Sequence, residues 1–411
     1  MSEMIADVTV IGAGPAGAVV SALLLQRGWS VNVIESQKFP RFSIGESLLP
    51  QCMEFLAHAK MLKPVQAAGF QFKNGAAFEW AGKRTAFDFG DKFSSGPGTT
   101  FQVERASFDK ILAEEALNQG ANIYFEHAVC DVEIGAEGAR LLAKTKCGNK
   151  VLFTSRFVLD ASGFGRVLPR LMNLDRPSSF PVRESVFTHV QDNIDSKNFD
   201  RNKILITVHP YERDIWYWLI PFSNGRASLG VVGDCKKIAA LGDMPEQMLR
   251  NAVDMAPELS HMLGDALFDT AVQRISGYAS DVSTLSGPGF ALLGNAGEFL
   301  DPVFSSGVTI AMKSAELAAD CLDRQLSGVE VDWQQEFSIP LKHGVDVFKT
   351  FVNAWYDGRF QDVIFYQTER QDVKRMICSI LAGYAWDTRN PFVSSAERRL
   401  NTLVEICSAG R

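Results

Sequence analysis

Between residues 8 and 35 the chain runs through an apolar segment, a cluster of glycines, a second apolar segment and a lone acid. No other feature restricts the fold as strongly. Residues 5–11 read as a short strand, and Gly12-Ala13-Gly14-Pro15-Ala16-Gly17 as a turn with G-x-G-x-x-G spacing. Residues 18–27 read as an apolar helix ended by Gly28, and residues 30–34 as a second strand closing on Glu35. The glycines permit a tight turn and a close approach of the backbone to a pyrophosphate, whose charge then meets the helix N-terminus. Glu35, 18 residues after Gly17, stands where such units bond ribose hydroxyls. An ordinary glycine turn would lack this combination of strand, helix and acid. Residues 8–25 carry no charge and match a membrane span in length. Gly12, Gly14, Pro15 and Gly17 in that stretch fit a strand–turn–helix better. The expectation is a βαβ unit of a dinucleotide-binding domain.

At roughly 150 residues per domain, 411 residues suggest two or three domains. Residues 76–89 alternate as a strand does, and residues 91–100, rich in Gly, Ser and Pro, read as an exposed loop. A helix is expected at 105–118, a strand at 122–125, a hairpin from 129–134 and 140–146, and a buried strand at 157–160 before another glycine turn. Residues 182–190, 203–209, 215–221 and 227–232 form a β-rich block, expected as an antiparallel sheet over a substrate site. A buried strand at 290–294 and a helix at 306–325 follow. From Trp333 onward the pattern is helical, with Phe348, Phe351, Val352 and Trp355 on one face.

Charge and cysteine usage remove several functions. Lysine plus arginine number 41 and aspartate plus glutamate 48, a net charge of −7 with no long basic run, which argues against nucleic-acid binding. The seven cysteines are odd in number and form no C-x-x-C pair, as in a reduced cytoplasmic protein without a disulfide framework. Six scattered histidines give no metal-ligand spacing, so no metal site is expected. Glu3 and Asp7 near the start, without a basic segment, do not read as a signal peptide.

Later segments separate FAD from NAD by resemblance. Asp160-Ala161-Ser162-Gly163 resembles the D-x-x-G element of flavoprotein monooxygenases. Gly294-Asn295-Ala296 through Pro302 resembles their second flavin motif, with Asn295 in place of the usual aspartate. Arg105 resembles the arginine these proteins place near the flavin. Trp216-Tyr217-Trp218-Leu219-Ile220-Pro221 contains W-x-W-x-I-P, and Phe299 to Gly307 reads F-x-x-P-x-x-S-x-G. Both resemble signatures of flavin-dependent halogenases. Phe39 to Ser47, with Ile44 and Gly45, resembles the strap over the flavin in that family, and Gln71 to Ala76 resembles the segment carrying its lysine. The likeness runs from residue 5 to about residue 325 in the family order, closest to the branch acting on phenols or pyrroles.

The resemblance implies an α/β fold: a Rossmann-like FAD-binding domain over residues 1–75, 100–180 and 272–328, an inserted antiparallel β-sheet substrate domain over residues 76–99 and 181–271, and a helical C-terminal tail over residues 329–411. It assigns FAD to Gly12, Gly14, Ala16, Gly17, Glu35, Ile44, Gly45, Arg105, Asp160, Gly163, Gly294, Asn295 and Pro302. It assigns a halide ion to Ser306 and Gly307, where backbone N–H groups at a helix start suit an anion. Trp216, Trp218, Phe304 and Ser305 would separate flavin from substrate. Lys73 would be catalytic, donating a hydrogen bond to hypohalous acid or forming a haloamine, since burial lowers a lysine pKa. Taken alone, the same residues read as a surface lysine, an aromatic core, helix-capping serines and a solvated arginine.

The implied reaction is FADH2- and O2-dependent halogenation of an electron-rich phenolic or pyrrolic ring, free or on an acyl or peptidyl carrier protein. A separate flavin reductase would supply FADH2. Tryptophan halogenases carry a glutamate just before the S-x-G; Phe304 here points away from free tryptophan. Two other readings stay open: an FAD-dependent monooxygenase or prenyl-reductase-like oxidoreductase of the same fold, and a non-catalytic flavoprotein that binds a carrier or pigment intermediate.

Overall fold

The computed structural model describes residues 2–178, 180–195, 197, 199–366 and 370–409. Of the C-terminal tail expected over residues 329–411, residues 367–369 and 410–411 therefore lie outside the described residues. A six-stranded sheet carries the N-terminal motif, in the order Ser286–Gly287, Phe290–Leu292, Phe157–Asp160, Val8–Ile11, Val31–Ile34, Asn122–Tyr124. Its inner strands run parallel, with Val8 opposite both Phe157 and Val31. Val8–Ile11, Val31–Ile34 and Phe157–Asp160 are buried at every position, as strands covered on both faces must be. The helix Pro15–Gln26 packs between the helices Gly307–Leu326 and Arg105–Asn118. At Gly17 a Cβ would lie 1.9 Å from the Gly12 carbonyl oxygen, so only glycine lets this helix start so close to the strand.

The single strand expected at residues 5–11 is two strands in two sheets. Ser2–Ile5 runs parallel to Lys150–Ser155 at the edge of a four-stranded sheet, while Val8–Ile11 enters the central one. Asp7 marks the break: its carboxylate accepts from the backbone N–H of Ser30 at 3.0 Å and from its hydroxyl at 2.6 Å. That bond pins the chain between the sheets. The hairpin His127–Gly135 and Gly138–Thr145 completes the smaller sheet beside Lys150–Ser155, a strand the sequence pattern did not reveal.

The β-rich block forms a seven-stranded sheet in the order Gln273–Ser276, Arg183–Gln191, Arg226–Asp234, Trp216–Pro221, Lys203–Val208, Gly75–Trp80, Lys83–Asp88. It is not wholly antiparallel: Gly75–Trp80 runs parallel to Lys203–Val208. The two are joined through a long excursion into the nucleotide domain rather than by a hairpin, and such a crossover allows parallel pairing. Side chains alternate between two cores. Trp216, Trp218 and Ile220 face the main core, while Tyr217 and Leu219 face a second core with Val186, Leu229 and Val231. Helices Pro245–Asp254 and Pro257–Met262 cover that second face, and the Tyr217 hydroxyl donates to Ala252 O at 2.8 Å.

The tail helices close the back of the molecule. In Ile339–Tyr356, the residues Phe348, Phe351, Val352 and Trp355 are fully buried in the main core. Residues 91–100, expected as an exposed loop, are held by the tail. Phe93 N–H donates to Arg375 O at 3.0 Å, Ser94 N–H to Ser379 Oγ at 2.9 Å, and the Tyr384 hydroxyl to Pro97 O at 2.9 Å. Ser94 and Thr100 are buried. The turn residues are real, but backbone partners sit 280 positions or more downstream, where local composition cannot report them. No helix among the described residues is long and apolar enough to cross a membrane.

Candidate functional site

A cleft of about 500 Å³ opens between the six-stranded and seven-stranded sheets. Its first half is backbone. Gly12, Gly14 and Ala16 line it where Pro15–Gln26 begins, and that helix start has no side-chain cap, so its N–H groups are available to an anion. Gly12 has φ +94°, and a Cβ on it would come within 2.6 Å of Ala161 O. Gly17 does not line the cleft; it lets the Gly12 carbonyl approach. Glu35 is buried at the cleft wall, with Oε2 accepting from Ala13 N–H and Oε1 from Gln37 N–H, both at 2.9 Å. This leaves lone pairs for diol hydroxyls.

Asp160 is wholly buried beneath the cleft rather than in its lining. Its carboxylate accepts from Ser162 N–H at 2.9 Å and Leu168 N–H at 2.7 Å, and so holds residues 161–165, Gly163 among them, against the cleft. Burial raises its pKa against those hydrogen bonds. Gly294, Asn295 and Pro302 line the same wall. Arg166 fastens that wall. Its guanidinium donates to Ser280 Oγ at 2.8 Å, Asp281 O at 2.9 Å, and the carbonyls of Asn295 and Gly297 at 3.3 Å.

Arg105 is no solvated helix-start residue. It is 7% exposed, pairs through Nε with Asp109 at 2.7 Å, and donates from Nη1 to Ile44 O at 2.5 Å. It thus ties the strap of residues 39–47 to the helix Arg105–Asn118. Arg41 joins the same Asp109 at 3.0 Å. Ile44, Gly45 and Arg105 all line the cleft. Gly45 has φ +98°, a backbone conformation that favours glycine, and a Cβ there would crowd Arg105 Nη1 at 3.0 Å.

The other half of the cleft is made of side chains, with Trp216, Trp218, Ile220, Ser47, Glu46 and Asp301 among its lining residues. Trp218 donates from its indole to Ser228 Oγ at 3.0 Å, and Trp216 to the Tyr356 hydroxyl at 3.1 Å. Lys73 is 1% exposed and lies behind Ser47. Its Nζ donates to Ser47 Oγ and Leu48 O, both at 2.7 Å, and sits 5.3 Å from the Phe89 ring centre. Burial without a neighbouring carboxylate pulls its pKa down from 10.5 to about 7. Ser47, not Lys73, reaches the cleft lining.

Ser305 and Gly307 line the cleft; Ser306 does not. Ser305 has φ +56°, a left-handed conformation uncommon outside glycine. Ser306 is buried and precedes Gly307–Leu326 without a side-chain cap, so a second helix start with unsatisfied N–H groups meets the cleft. Phe304 points into the core, its ring 5.9 Å from Trp355 and 5.6 Å from Phe360.

Sequence reasoning passed over two features. Asp301 is buried at the cleft wall, its Oδ1 accepting from Val303 N–H at 2.9 Å and its Oδ2 from the Tyr356 hydroxyl at 2.7 Å. Burial pushes its pKa up from 3.8 to about 7, against Tyr356, Val303 and Arg183, which lower it. His189 pairs with Glu46 at 2.8 Å; burial disfavours its charge, but Glu46 prevails and its pKa is raised. Asp301 lies inside the F-x-x-P-x-x-S-x-G segment, and Tyr356 in the helical tail. Their meeting across 55 positions leaves no local trace. Phe360 and Phe365, which follow in the tail, are core.

Two uncapped helix starts, an acid placed for a diol and glycine-lined walls fit FAD: the Gly12–Gly17 turn would hold the pyrophosphate, Glu35 the ribose, and Gly45, Asn295 and Pro302 the flavin half. No cluster of three or more His, Cys, Asp or Glu side chains suited to a metal occurs among the described residues.

A family model described as "FAD binding domain" matches residues 5–267. The chain is 30% identical over 340 residues to the tryptophan 2-halogenase of Chondromyces crocatus, covering 79% of this chain and 62% of that one. It therefore spans less than two thirds of that relative's length. It is 28% identical to the 1H-pyrrole-2-carbonyl-[peptidyl-carrier protein] chlorinase of Pseudomonas fluorescens, covering 98% of this chain and 95% of the other. A crystal structure of a flavoprotein/dehydrogenase from Cytophaga hutchinsonii matches with TM-score 0.95 and 43% identity over 99% of both chains.

Proposed function

The chain belongs to the FAD binding domain family, and from that premise we propose that it is a flavin-dependent halogenase, acting on an electron-rich phenolic or pyrrolic ring with FADH2, O2 and halide. The observation that carries the reading is a lysine buried without a counter-charge, reaching the tryptophan-walled end of the cleft through one hydroxyl. Bound reduced FAD supplies, with O2, the two-electron oxidation of halide to hypohalous acid. The uncapped start of Gly307–Leu326, with Ser305 in its left-handed turn, offers N–H groups to the halide. Lys73, in its ammonium form, holds a proton that Ser47 Oγ relays to the oxygen of hypohalous acid, making halogen the electrophile. Trp216 and Trp218, fixed by Tyr356 and Ser228, wall that end and exclude bulk water. Phe304 supplies no acid or base, so the ring must be activated already. The near full-length match to a chlorinase of carrier-bound pyrrole supports a carrier-tethered substrate. A separate flavin reductase would supply the reduced cofactor.

The 43% match to a flavoprotein/dehydrogenase favours a second reading, an oxidoreductase of this fold that does not use halide. One assay separates them. The protein, FAD, a flavin reductase, NADH and O2 are given a panel of phenols and pyrroles, with chloride, bromide or neither, and product mass is read. A halogen isotope pattern that needs halide, survives a hypohalite scavenger and is lost in Lys73→Ala supports halogenation. Gain of one oxygen regardless of halide supports the second reading.

A further inference from the structure

Substitution of ring hydrogen by halogen releases a proton, and Phe304 cannot accept it. Of the carboxylates at the cleft, Glu35 is held by two backbone amides at the nucleotide end, and Glu46 is paired with His189. Asp301 remains. Each of its oxygens accepts one hydrogen bond, from Val303 N–H and from the Tyr356 hydroxyl, and each retains a lone pair. It lines the cleft beside Trp216, the other residue bonded to Tyr356.

We propose that Asp301 is the proton acceptor of this site, taking the ring proton displaced by halogen, and that Tyr356 is its positioning residue. The inference rests on the halogenation reading. The carbon–halogen bond forms as the halogen–oxygen bond of hypohalous acid breaks. The oxygen leaves with that electron pair and takes the Lys73 proton through Ser47, giving water. The ring carbon then yields its proton to Asp301, and the C–H electron pair restores aromaticity. A net transfer of one proton through solvent, from Asp301 to Lys73, resets both groups.

The surroundings suit that role. Tyr356 from the tail helix donates to the carboxylate, and its oxygen is fixed in turn by the Trp216 indole. Arg183 from the seven-stranded sheet lies 4.0 Å over the Tyr356 ring and pairs with Asp214 at 3.1 Å. Tyr278, buried nearby, feels the Asp301 charge. These are the titratable and charged groups facing Asp301. Because Tyr356 and Arg183 favour the carboxylate while burial opposes it, the group changes protonation state near neutral pH.

The test uses the FAD-loaded full chain with the flavin reductase, on the phenol or pyrrole of the panel that the wild type halogenates fastest. Asp301→Asn keeps size and the acceptor for Val303 N–H. It should lower kcat by about 100-fold with FAD affinity unchanged by flavin fluorescence. A ring-deuterated substrate should then react more slowly than the protiated one, a difference absent in wild type. Tyr356→Phe removes a hydrogen bond that favours the carboxylate, so the rise of kcat with pH should move to higher pH. A halogenating wild type alongside an Asp301→Asn variant of unchanged kcat, or one slowed without deuterium sensitivity, overturns the inference alone. A Tyr356→Phe profile that does not move overturns the positioning role. A wild type whose product lacks halogen overturns the proposed function and the inference with it.

Discussion

The two halves of the cleft are built from different materials. The nucleotide half is backbone: glycines at 12, 14 and 45, free N–H groups at a helix start, and two acids held by amides. The tryptophan half is side chain: Lys73, Ser47, Asp301, Tyr356 and Trp216, drawn from five separate segments. Backbone recognition tolerates little change of shape but needs no unusual ionisation. The side-chain half depends on groups buried away from their preferred charge. The first half should therefore fail by losing geometry, the second by losing protons.

The sharpest division comes from Lys73→Ala. Halogenated product should fall by at least about 100-fold, while FAD still quenches and binds as in wild type; weakened flavin binding would erase the distinction between the halves. Gly17→Ala should do the reverse. A methyl 1.9 Å from Gly12 O forces the helix off the strand, at a cost on the order of 3 kcal/mol, visible as a lower melting temperature and lost flavin. Glu35→Gln keeps the shape but gives up two charge-assisted bonds to Ala13 and Gln37, so FAD affinity should drop about tenfold without change in the halogenated position.

A smaller effect lies in the pH dependence of stability. Between pH 3.8 and about 7 the native state keeps the Asp301 proton that the unfolded chain releases, so stability falls as pH rises. Between about 7 and 10.5 the unfolded chain keeps the Lys73 proton that the native state releases, so stability rises again. Together they place the greatest strain near neutrality, where both groups are charged. Asp301→Asn should raise the melting temperature by a few degrees at pH 8 and leave it unchanged at pH 3.5, measured by circular dichroism.

The same contrast explains what could be read from the sequence. The Gly12–Gly17 turn, Glu35 and the helix Arg105–Asn118 are local, and the chain states them in consecutive residues. The alternation of Trp216 and Trp218 onto one face follows from strand geometry and is observed. The burial of Lys73 leaves no local sign in the sequence, since no local pattern distinguishes a buried lysine from an exposed one. Asp301 with Tyr356, Arg166 with the Asn295 turn, and residues 91–100 with the tail all join distant positions through polar atoms. Hydrophobic periodicity carries no record of such bonds. The split of residues 5–11 into two strands had a local cue in Asp7, but its partner Ser30 lies 23 residues on.

The tail's contribution bears on how the protein comes into being. Tyr356 reaches Asp301 and Trp216, two residues of the cleft lining, from a helix synthesised after every residue of the nucleotide motif. A nascent chain can fold its FAD-binding sheet while the tryptophan end is still open and Asp301 lacks its Tyr356 hydrogen bond. Order of synthesis thus postpones the assembly of the tryptophan-walled end until the rest of the molecule is in place.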